Sequence, residues 1–187
     1  YWVSYTDIVE LTGASPILVR CGIEQSFKMT PEQLENSINK KTKIVILNSP
    51  SNPTGSTYSK TELKGLADIL IKYPDIYIMT DDIYEHIRLD NQSFHNIVMV
   101  EPKLKDRCII INGVSKAYSM TGWRIGFAAG PKEIISAMTI LQSQSTSNPT
   151  SISQAAAEAA LLGDQTCITP MLNAFKERHT FVVNAFN

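Results

Sequence analysis

NGVSKAYSMTGWRIG, at residues 112–126, is the segment on which the prediction of the fold rests. It follows the continuous apolar run CIII at residues 108–111, which predicts a buried strand. Small residues flank Lys116, and Arg124 precedes a second apolar segment. Residues 108–131 contain no Asp or Glu, so both charges in this region are positive. A lysine in such a setting is either an amine that reacts covalently beside an anion site or a solvated loop residue, and this segment alone leaves both open.

The composition is that of a folded globular protein. Of the 187 residues, 43% are hydrophobic and 19% are charged, which is ordinary for a domain with one core. The net charge of -1 gives no electrostatic reason to expect a nucleic-acid partner. No apolar run approaches the ~20 residues that span a bilayer, so no membrane association is predicted. The cysteines form no CxxC pair and the histidines lack the spacing of metal ligands, which predicts reduced thiols, a cytoplasmic location and no metal site.

Helix and strand signals alternate along the chain. Continuous β-branched runs, such as KIVIL at residues 43–47, predict short strands buried on both faces. Capping boxes predict helix starts at Thr30, Ser59 and Ser151. This alternation predicts an α/β fold, with a mainly parallel sheet and helices on both faces. The predicted strands are residues 16–20, 43–47, 76–79, 108–111 and 125–129. The predicted helices are residues 5–11, a short helix from residue 30, 59–73, 131–141, 151–162 and a last helix from about residue 170. Residues 142–150 are predicted to be a polar linker, and residues 91–104 carry no prediction.

Three polar loops follow predicted strands, at residues 48–55, 80–84 and 112–122. In parallel sheets ligands bind beyond the carboxyl ends of the strands, so these loops are expected to converge on one site if their strands are neighbours. The spacing of Asp81 and Tyr84 can place both side chains on one side of their turn. A carboxylate there suits a protonated ring nitrogen, and a phenol suits an oxyanion.

The loop at residues 112–122, called the lysine loop below, and Arg124 just after it carry groups that suit a phosphorylated aldehyde. Arg124 and the Ser115 hydroxyl suit a phosphate, because an arginine fork binds phosphate oxygens well. Lys116 can form a Schiff base with an aldehyde if its surroundings favour the neutral amine. One ligand has an aldehyde, a ring nitrogen, a phenolic oxygen and a phosphate, and it is pyridoxal 5'-phosphate.

The sequence resembles class I aminotransferases, which belong to the fold-type I superfamily of proteins that depend on pyridoxal phosphate (PLP). It is most similar to the bacterial aspartate/prephenate aminotransferase subgroup. The resemblance lies in four motifs in family order: YWVSY at 1–5, NSPSNPTG at 48–55, DDIY at 81–84 and GVSKAYSMTGWRIG at 113–126. It implies that residues 1–187 are part of the PLP-binding large domain. The N-terminal part and the small domain are expected to lie outside the chain, with the last helix leading towards the small domain.

The resemblance also implies a reaction and its catalytic residues. Lys116 is the Schiff-base amine and the proton shuttle, Asp81 pairs with the pyridine nitrogen, and Tyr84 bonds the 3'-oxygen of the ring. The implied reaction transfers an amino group between an amino acid, aspartate or glutamate, and a 2-oxo acid. The implied assembly is a homodimer with shared sites. Other groups that the family needs fall outside this chain, so the chain by itself is expected to be inactive.

Four further positions are implied to bind the cofactor or the substrate. Asn52 bonds the 3'-oxygen and reaches the substrate carboxylate, and Trp2 stacks on the ring beside the substrate. Ser115 and Arg124 hold the phosphate. Many relatives carry serine where this chain has Gly113, so one hydroxyl contact with the phosphate is expected to be missing.

Other readings of the same residues stay open. Asp81 can be a helix N-cap and Tyr84 ordinary packing. Arg124 can be a surface cation, although its apolar neighbours favour burial against an anion, and Trp2 can be core. A PLP-dependent C–S lyase or another β-eliminating relative would keep the cofactor and change the reaction. A PLP-fold sensor module of a transcription regulator would keep the fold without the catalysis.

Overall fold

The structure, a computed structural model, describes residues 1–90 and 92–187 of the chain. These residues form two compact units. The first unit comprises Tyr1–Asp82 and His95–Ile110, and the second comprises Ile83–Phe94 and Ile111–Asn187. Asn91, in the segment that carries no sequence prediction, lies outside the described residues.

The helices and strands alternate largely as the sequence predicts. The helices are α1 (Ser4–Leu11), α2 (Pro31–Ser37), α3 (Lys60–Ile71), α4 (Ile97–Val100), α5 (Lys132–Ser145), α6 (Ser151–Leu162) and α7 (Ile168–Phe186). The strands are β1 (Ile44–Asn48), β2 (Tyr77–Asp81), β3 (Cys108–Gly113) and β4 (Gly126–Ala129). In the first unit the strand order is β1-β2-β3, and β1 and β2 are parallel. Strand β3 continues into the second unit, where its neighbour is β4. The sheet is mostly parallel, as predicted.

The core of the first unit contains side chains from β1, β2 and β3 and from helices α2, α3 and α4. Helix α3 begins at the predicted capping box, in which Ser59 and Glu62 each bind the other's backbone amide. A cap of this kind contributes about 1 kcal/mol. The apolar face predicted for α3 is buried, at Leu63, Leu66, Ala67 and Leu70. Helix α2 begins at the predicted Thr30–Gln33 box. Caps and apolar spacing therefore define this part of the fold locally.

The second unit has a smaller buried cluster that holds the lysine loop. Val114, near the start of the loop at residues 112–122, and Ile125, just after its end, pack with Ala157 of α6. Tyr118 and Met120, within the loop, pack against the same cluster. Burial of Val114 and Ile125 thus anchors both ends of the loop that carries the lysine.

Two strand predictions are wrong in whole or in part. Residues 16–20 form no strand, because Ile17 and Leu18 are exposed and no described strand pairs with them. A β-branched run needs a ladder partner as well as propensity. Strand β1 is not buried on both faces, since Leu47 is buried but Ile44 is 38% exposed. β1 stands at the end of the strand order, where less of the chain covers it.

Three helix boundaries also differ from the predictions. Helix α5 continues to Ser145, so only the later part of the predicted 142–150 linker is irregular. The Gln and Ser residues there do not break a helix in the way that Gly or Pro does. Ser151 is the first residue of α6 and not its cap, which is Thr150. Helix α7 begins at Ile168, two residues earlier than predicted, because Pro170 is tolerated in a first turn.

Within the described residues, no helix is long and apolar enough to cross a membrane. The same residues contain no group of three or more His, Cys, Asp or Glu side chains arranged to hold a metal ion.

Candidate active site

In the first unit, Asp81 is the last residue of β2 and lies in register with Asn48, the last residue of β1. The Asn48 side chain joins the two strand ends to the following loop. Its Nδ2 donates to the Asp81 carbonyl oxygen at 3.0 Å, and its Oδ1 accepts from the Asn52 backbone N–H at 2.9 Å. Asn48 therefore positions two predicted site residues, Asp81 and Asn52, through their backbones. This positioning role was not predicted from the sequence for Asn48 or for any other residue of the loop.

The Asp81 carboxylate is held from the other side by helix α1. The Tyr5 hydroxyl donates a hydrogen bond to Asp81 Oδ2. Tyr5 also contacts Trp2, with ring centroids 6.0 Å apart and planes at 90°. Edge-to-face contact of this kind is a favoured aromatic geometry. The structure therefore brings together Trp2, Asn52 and Asp81, with Tyr5 and Asn48 as the intermediates. Tyr5 was missed as a site residue; the available signal was its position in the first turn of α1, three residues after Trp2.

Asp82, the neighbour of Asp81, points into the core. It is 1% exposed, and its two carboxylate oxygens accept from Thr80 Oγ1 at 2.6 Å and from Asn96 Nδ2 at 2.7 Å. A buried carboxylate is tolerated only when such donors replace water. This network fixes the end of β2 and leaves the half-buried Asp81 as the carboxylate that can act on a ligand. The two adjacent carboxylates thus differ in burial and in their partners.

In the second unit, the structure brings Tyr84 and Lys116 together. Lys116 Nζ lies 5.6 Å from the centre of the Tyr84 ring, within the range of a cation–π contact. Lys116 is half-buried. Among the carboxylates that the structure describes, none forms an ion pair with it. This amine therefore lies beside the Tyr84 ring, with no ion pair to any carboxylate that the structure describes.

Glu85, next to Tyr84, links that turn to the end of β3. Glu85 Oε1 accepts from Asn112 Nδ2 at 2.7 Å and lies 3.3 Å from His86 Nε2. The hydrogen bond from His86, with a smaller contribution from Asn112, lowers the pKa of Glu85 despite its partial burial. The same pairing raises the pKa of His86. No role for His86, Glu85 or the Asn112 side chain was predicted from the sequence.

The Glu85–His86 pair is expected to support the fold only over an intermediate pH range. The raised pKa of His86 means that its contribution is full below the ordinary value of about 6.5 and is lost as pH rises through the folded-state value. The lowered pKa of Glu85 means that its contribution is present above about 4.3 and is lost as pH falls through the folded-state value. NMR titration should place the His86 pKa above its ordinary value and should find it lowered in Glu85→Gln, because the partner that raises it is then lost. An unchanged His86 pKa in that variant would contradict the pairing.

Gly113 is confined by backbone atoms. A Cβ at this position would lie 2.8 Å from the Ile125 carbonyl oxygen and 3.1 Å from the Gly126 Cα. Real Cβ contacts are longer than this, so a serine here would force the backbone apart. The chain therefore has glycine at a position where its backbone leaves no room for a side chain.

The two residues predicted to hold a phosphate differ in exposure. Ser115 is half-buried beside Lys116. Arg124 is exposed in this structure, and its expected burial against an anion stays a prediction. It has left-handed backbone angles, φ 55° and ψ 45°, and its Nη1 donates to the Thr121 carbonyl oxygen at 2.9 Å. Its guanidinium keeps further donors for an anion. The expected convergence of the three loops on one site stays a prediction.

Comparison with known proteins identifies related sequences over the whole chain. The family described as aminotransferase class I and II has a sequence model that matches residues 1–187. The chain is 57% identical over 187 residues to the aspartate/prephenate aminotransferase of Nitrosomonas europaea, covering 100% of this chain and 47% of that protein. It is 52% identical over 187 residues to the aspartate/prephenate aminotransferase of Cereibacter sphaeroides, again covering 47% of that protein. The chain thus spans about half the length of the curated relatives it matches.

Solved structures agree with the fold. The aspartate aminotransferase of Rhizobium meliloti matches with a TM-score of 0.96 and 47% identity, over 98% of this chain and 46% of that one. The aspartate aminotransferase of Thermus thermophilus with maleate matches with a TM-score of 0.85 and 38% identity, over 95% of this chain and 45% of that one. The predicted fold class is confirmed.

Proposed function

Because the chain belongs to the family of class I and II aminotransferases, we propose that the full-length protein transfers an amino group between an amino acid and a 2-oxo acid with pyridoxal 5'-phosphate as its cofactor. The amino donor is aspartate or glutamate, in keeping with the aspartate in the names of the relatives and of the solved structures. The observation that carries the proposal is the half-buried Lys116 amine beside Tyr84, which has no ion-pair partner among the described carboxylates.

The donor set fits this cofactor. When bound, pyridoxal 5'-phosphate supplies an aldehyde for the amino group of the substrate and a ring that accepts electrons from the substrate carbon. The Asp81 carboxylate, oriented by Tyr5 and Asn48, accepts a hydrogen bond from the ring nitrogen and favours its protonated form. The Tyr84 hydroxyl donates to the 3'-oxygen. These two residues would therefore act on two different atoms of the ring, Asp81 on its nitrogen and Tyr84 on its 3'-oxygen.

Lys116 performs the proton transfer. Its Nζ would hold the cofactor when it is bound, and the same amine would accept a proton from the substrate carbon and return one. An amine must be neutral to accept a proton, so the absence of a described carboxylate partner suits this step. Proton transfer by a positioned side chain contributes about 10²–10⁴-fold in rate. Lys116 is thus assigned both the covalent and the acid–base role.

The remaining candidate residues bind and orient. Ser115 and the exposed Arg124 hold the phosphate, which the arginine fork can contact through two donors. Asn52, whose backbone is tied to Asn48, binds the 3'-oxygen and the substrate carboxylate. Trp2 covers one face of the ring and excludes water. These roles follow the resemblance of the motifs and are supported by the contacts within each unit.

The active protein is a cytoplasmic homodimer with shared sites. The resemblance to the family supports the dimer. Cys21, Cys108 and Cys167 are free thiols, which fits a reducing compartment.

The test uses the full-length protein with added pyridoxal 5'-phosphate. A visible absorption band should appear, and aspartate should lose its amino group beyond one equivalent per bound cofactor only when an acceptor is present. The acceptors are 2-oxoglutarate and prephenate, the second chosen from the names of the relatives. Continued release of a 2-oxo acid without an acceptor, from an amino acid with a leaving group on its β carbon, would indicate a β-eliminating lyase and would refute amino transfer. Binding of the cofactor with neither reaction would favour a sensor module.

A further inference from the structure

The turn that carries Tyr84 is attached to the end of β3 on both sides of Tyr84. On one side, Ile83 Cδ1 lies 3.1 Å from the position that a Cβ on Gly113 would take. On the other side, Glu85 Oε1 accepts from Asn112 Nδ2 at 2.7 Å. The tyrosine between these contacts is therefore held against the strand end that leads into the lysine loop.

Asn112 joins this attachment to the backbone of the loop. Its Nδ2 binds Glu85, and its Oδ1 accepts from the Gly113 backbone N–H at 2.7 Å. Both ends of the amide are thus in use, so its orientation is defined by two partners. Gly113 lies three residues before Lys116, and Val114 between them is fully buried. A connected set of contacts therefore runs from the Tyr84 turn to the residue that carries the amine.

We propose that the hydrogen bond from Asn112 to Glu85, the Glu85–Asn112 latch, sets the position of the Tyr84 hydroxyl relative to Lys116. Glu85 is then a positioning residue that acts through Tyr84 and touches neither substrate nor cofactor. The significance of the latch rests on the proposed function, in which Tyr84 donates to the 3'-oxygen of the cofactor. Loss of the latch leaves the Ile83 side of this attachment in place and releases the Glu85 side, because the backbone bond of the turn, from Ile87 N–H to the Tyr84 carbonyl at 2.9 Å, does not reach β3.

His86 binds the same carboxylate oxygen but is a separate contribution. It lies 3.3 Å from Glu85 Oε1, farther than Asn112, and its side chain is 45% exposed. An exposed ion pair contributes little to position. Glutamine at position 85 keeps an acceptor for Asn112 and removes the charge that attracts His86. The two contributions can therefore be separated by substitution.

The experiment measures the pH midpoint of the visible band of pyridoxal 5'-phosphate bound to the full-length protein. Glu85→Ala should raise the midpoint by roughly one pH unit, because loss of a donor to an anionic ring oxygen favours protonation. Glu85→Gln and His86→Ala should keep the wild-type midpoint. A wild-type midpoint in Glu85→Ala would overturn the proposal. A shift in His86→Ala as large as that in Glu85→Ala would overturn it too, since the ion pair would then be responsible.

Asn112→Asp is the second variant, in case Glu85→Ala does not fold. It keeps the acceptor for the Gly113 N–H and places a second carboxylate opposite Glu85, so it should shift the midpoint in the same direction. Hydrogen exchange of the full-length protein without cofactor gives an independent reading. The amides of residues 83–87 should exchange faster in Glu85→Ala than in Glu85→Gln, and equal rates would refute the latch. A wild-type protein with no visible band would refute the proposed function, while hydrogen exchange would still decide the latch.

Discussion

Lys116→Ala is expected to lower the rate of amino transfer by the full-length protein by at least about 10⁴-fold, the upper range for one positioned proton-transfer group. The loss exceeds that of other candidate residues because Lys116 is assigned both a covalent and a proton-transfer role. Alanine also removes the amine that lies beside Tyr84. The measurement is the rate of aspartate-dependent amino transfer at saturating cofactor. After reduction with borohydride, no cofactor should remain covalently attached to the variant protein.

Lys132→Ala is the matched control for this prediction. Lys132 is an exposed lysine at the start of α5 in the second unit, and it has no assigned role in the site. Its variant should transfer amino groups at the wild-type rate. If Lys116→Ala retained a band that borohydride fixes onto the protein, the covalent amine would be another residue and the assignment of Lys116 would be wrong.

Gly113→Ser is expected to destabilise the full-length protein by about 1–3 kcal/mol, the usual cost of overpacking. A Cβ at this position would lie 2.8 Å from the Ile125 carbonyl oxygen, a backbone atom that cannot rotate away. Ile125 is buried in the cluster that anchors the lysine loop, so its displacement would also loosen that loop. The measurement is the free energy of unfolding from urea denaturation. The added hydroxyl is not expected to improve phosphate binding, because the backbone must move to admit it.

Two variants make this prediction specific. Gly113→Ala should cost about as much as Gly113→Ser, because the Cβ and not the hydroxyl causes the clash. Gly122→Ser is the matched control, since a Cβ there would meet no atom within 4 Å. Its effect should stay within about 0.5 kcal/mol, as for most surface substitutions. A Gly113→Ser protein as stable as Gly122→Ser would show that Ile125 and Gly126 yield easily.

Much of the fold follows from local sequence signals. The capping boxes at Thr30 and Ser59 were confirmed atom by atom, because a cap involves only residues within one turn. The buried face of α3 was predicted from its spacing for the same reason. The strand predicted at residues 16–20 was wrong, because pairing depends on a partner that local propensity does not reveal.

The sequence by itself determined which side chains are candidates for the chemistry, through the lysine among small residues, the Asp81–Tyr84 spacing, the polar loop after β1 and the order of the four motifs. Side-chain identity and short spacing contain that information. Only the tertiary structure decided which residues support them, since Tyr5 reaches Asp81 across 76 positions and Asn112 reaches Glu85 across 27. It also showed why glycine stands at position 113, where the Ile125 backbone leaves no room for a Cβ. Contacts between distant segments depend on how strands and helices pack, and no local pattern in the chain encodes them.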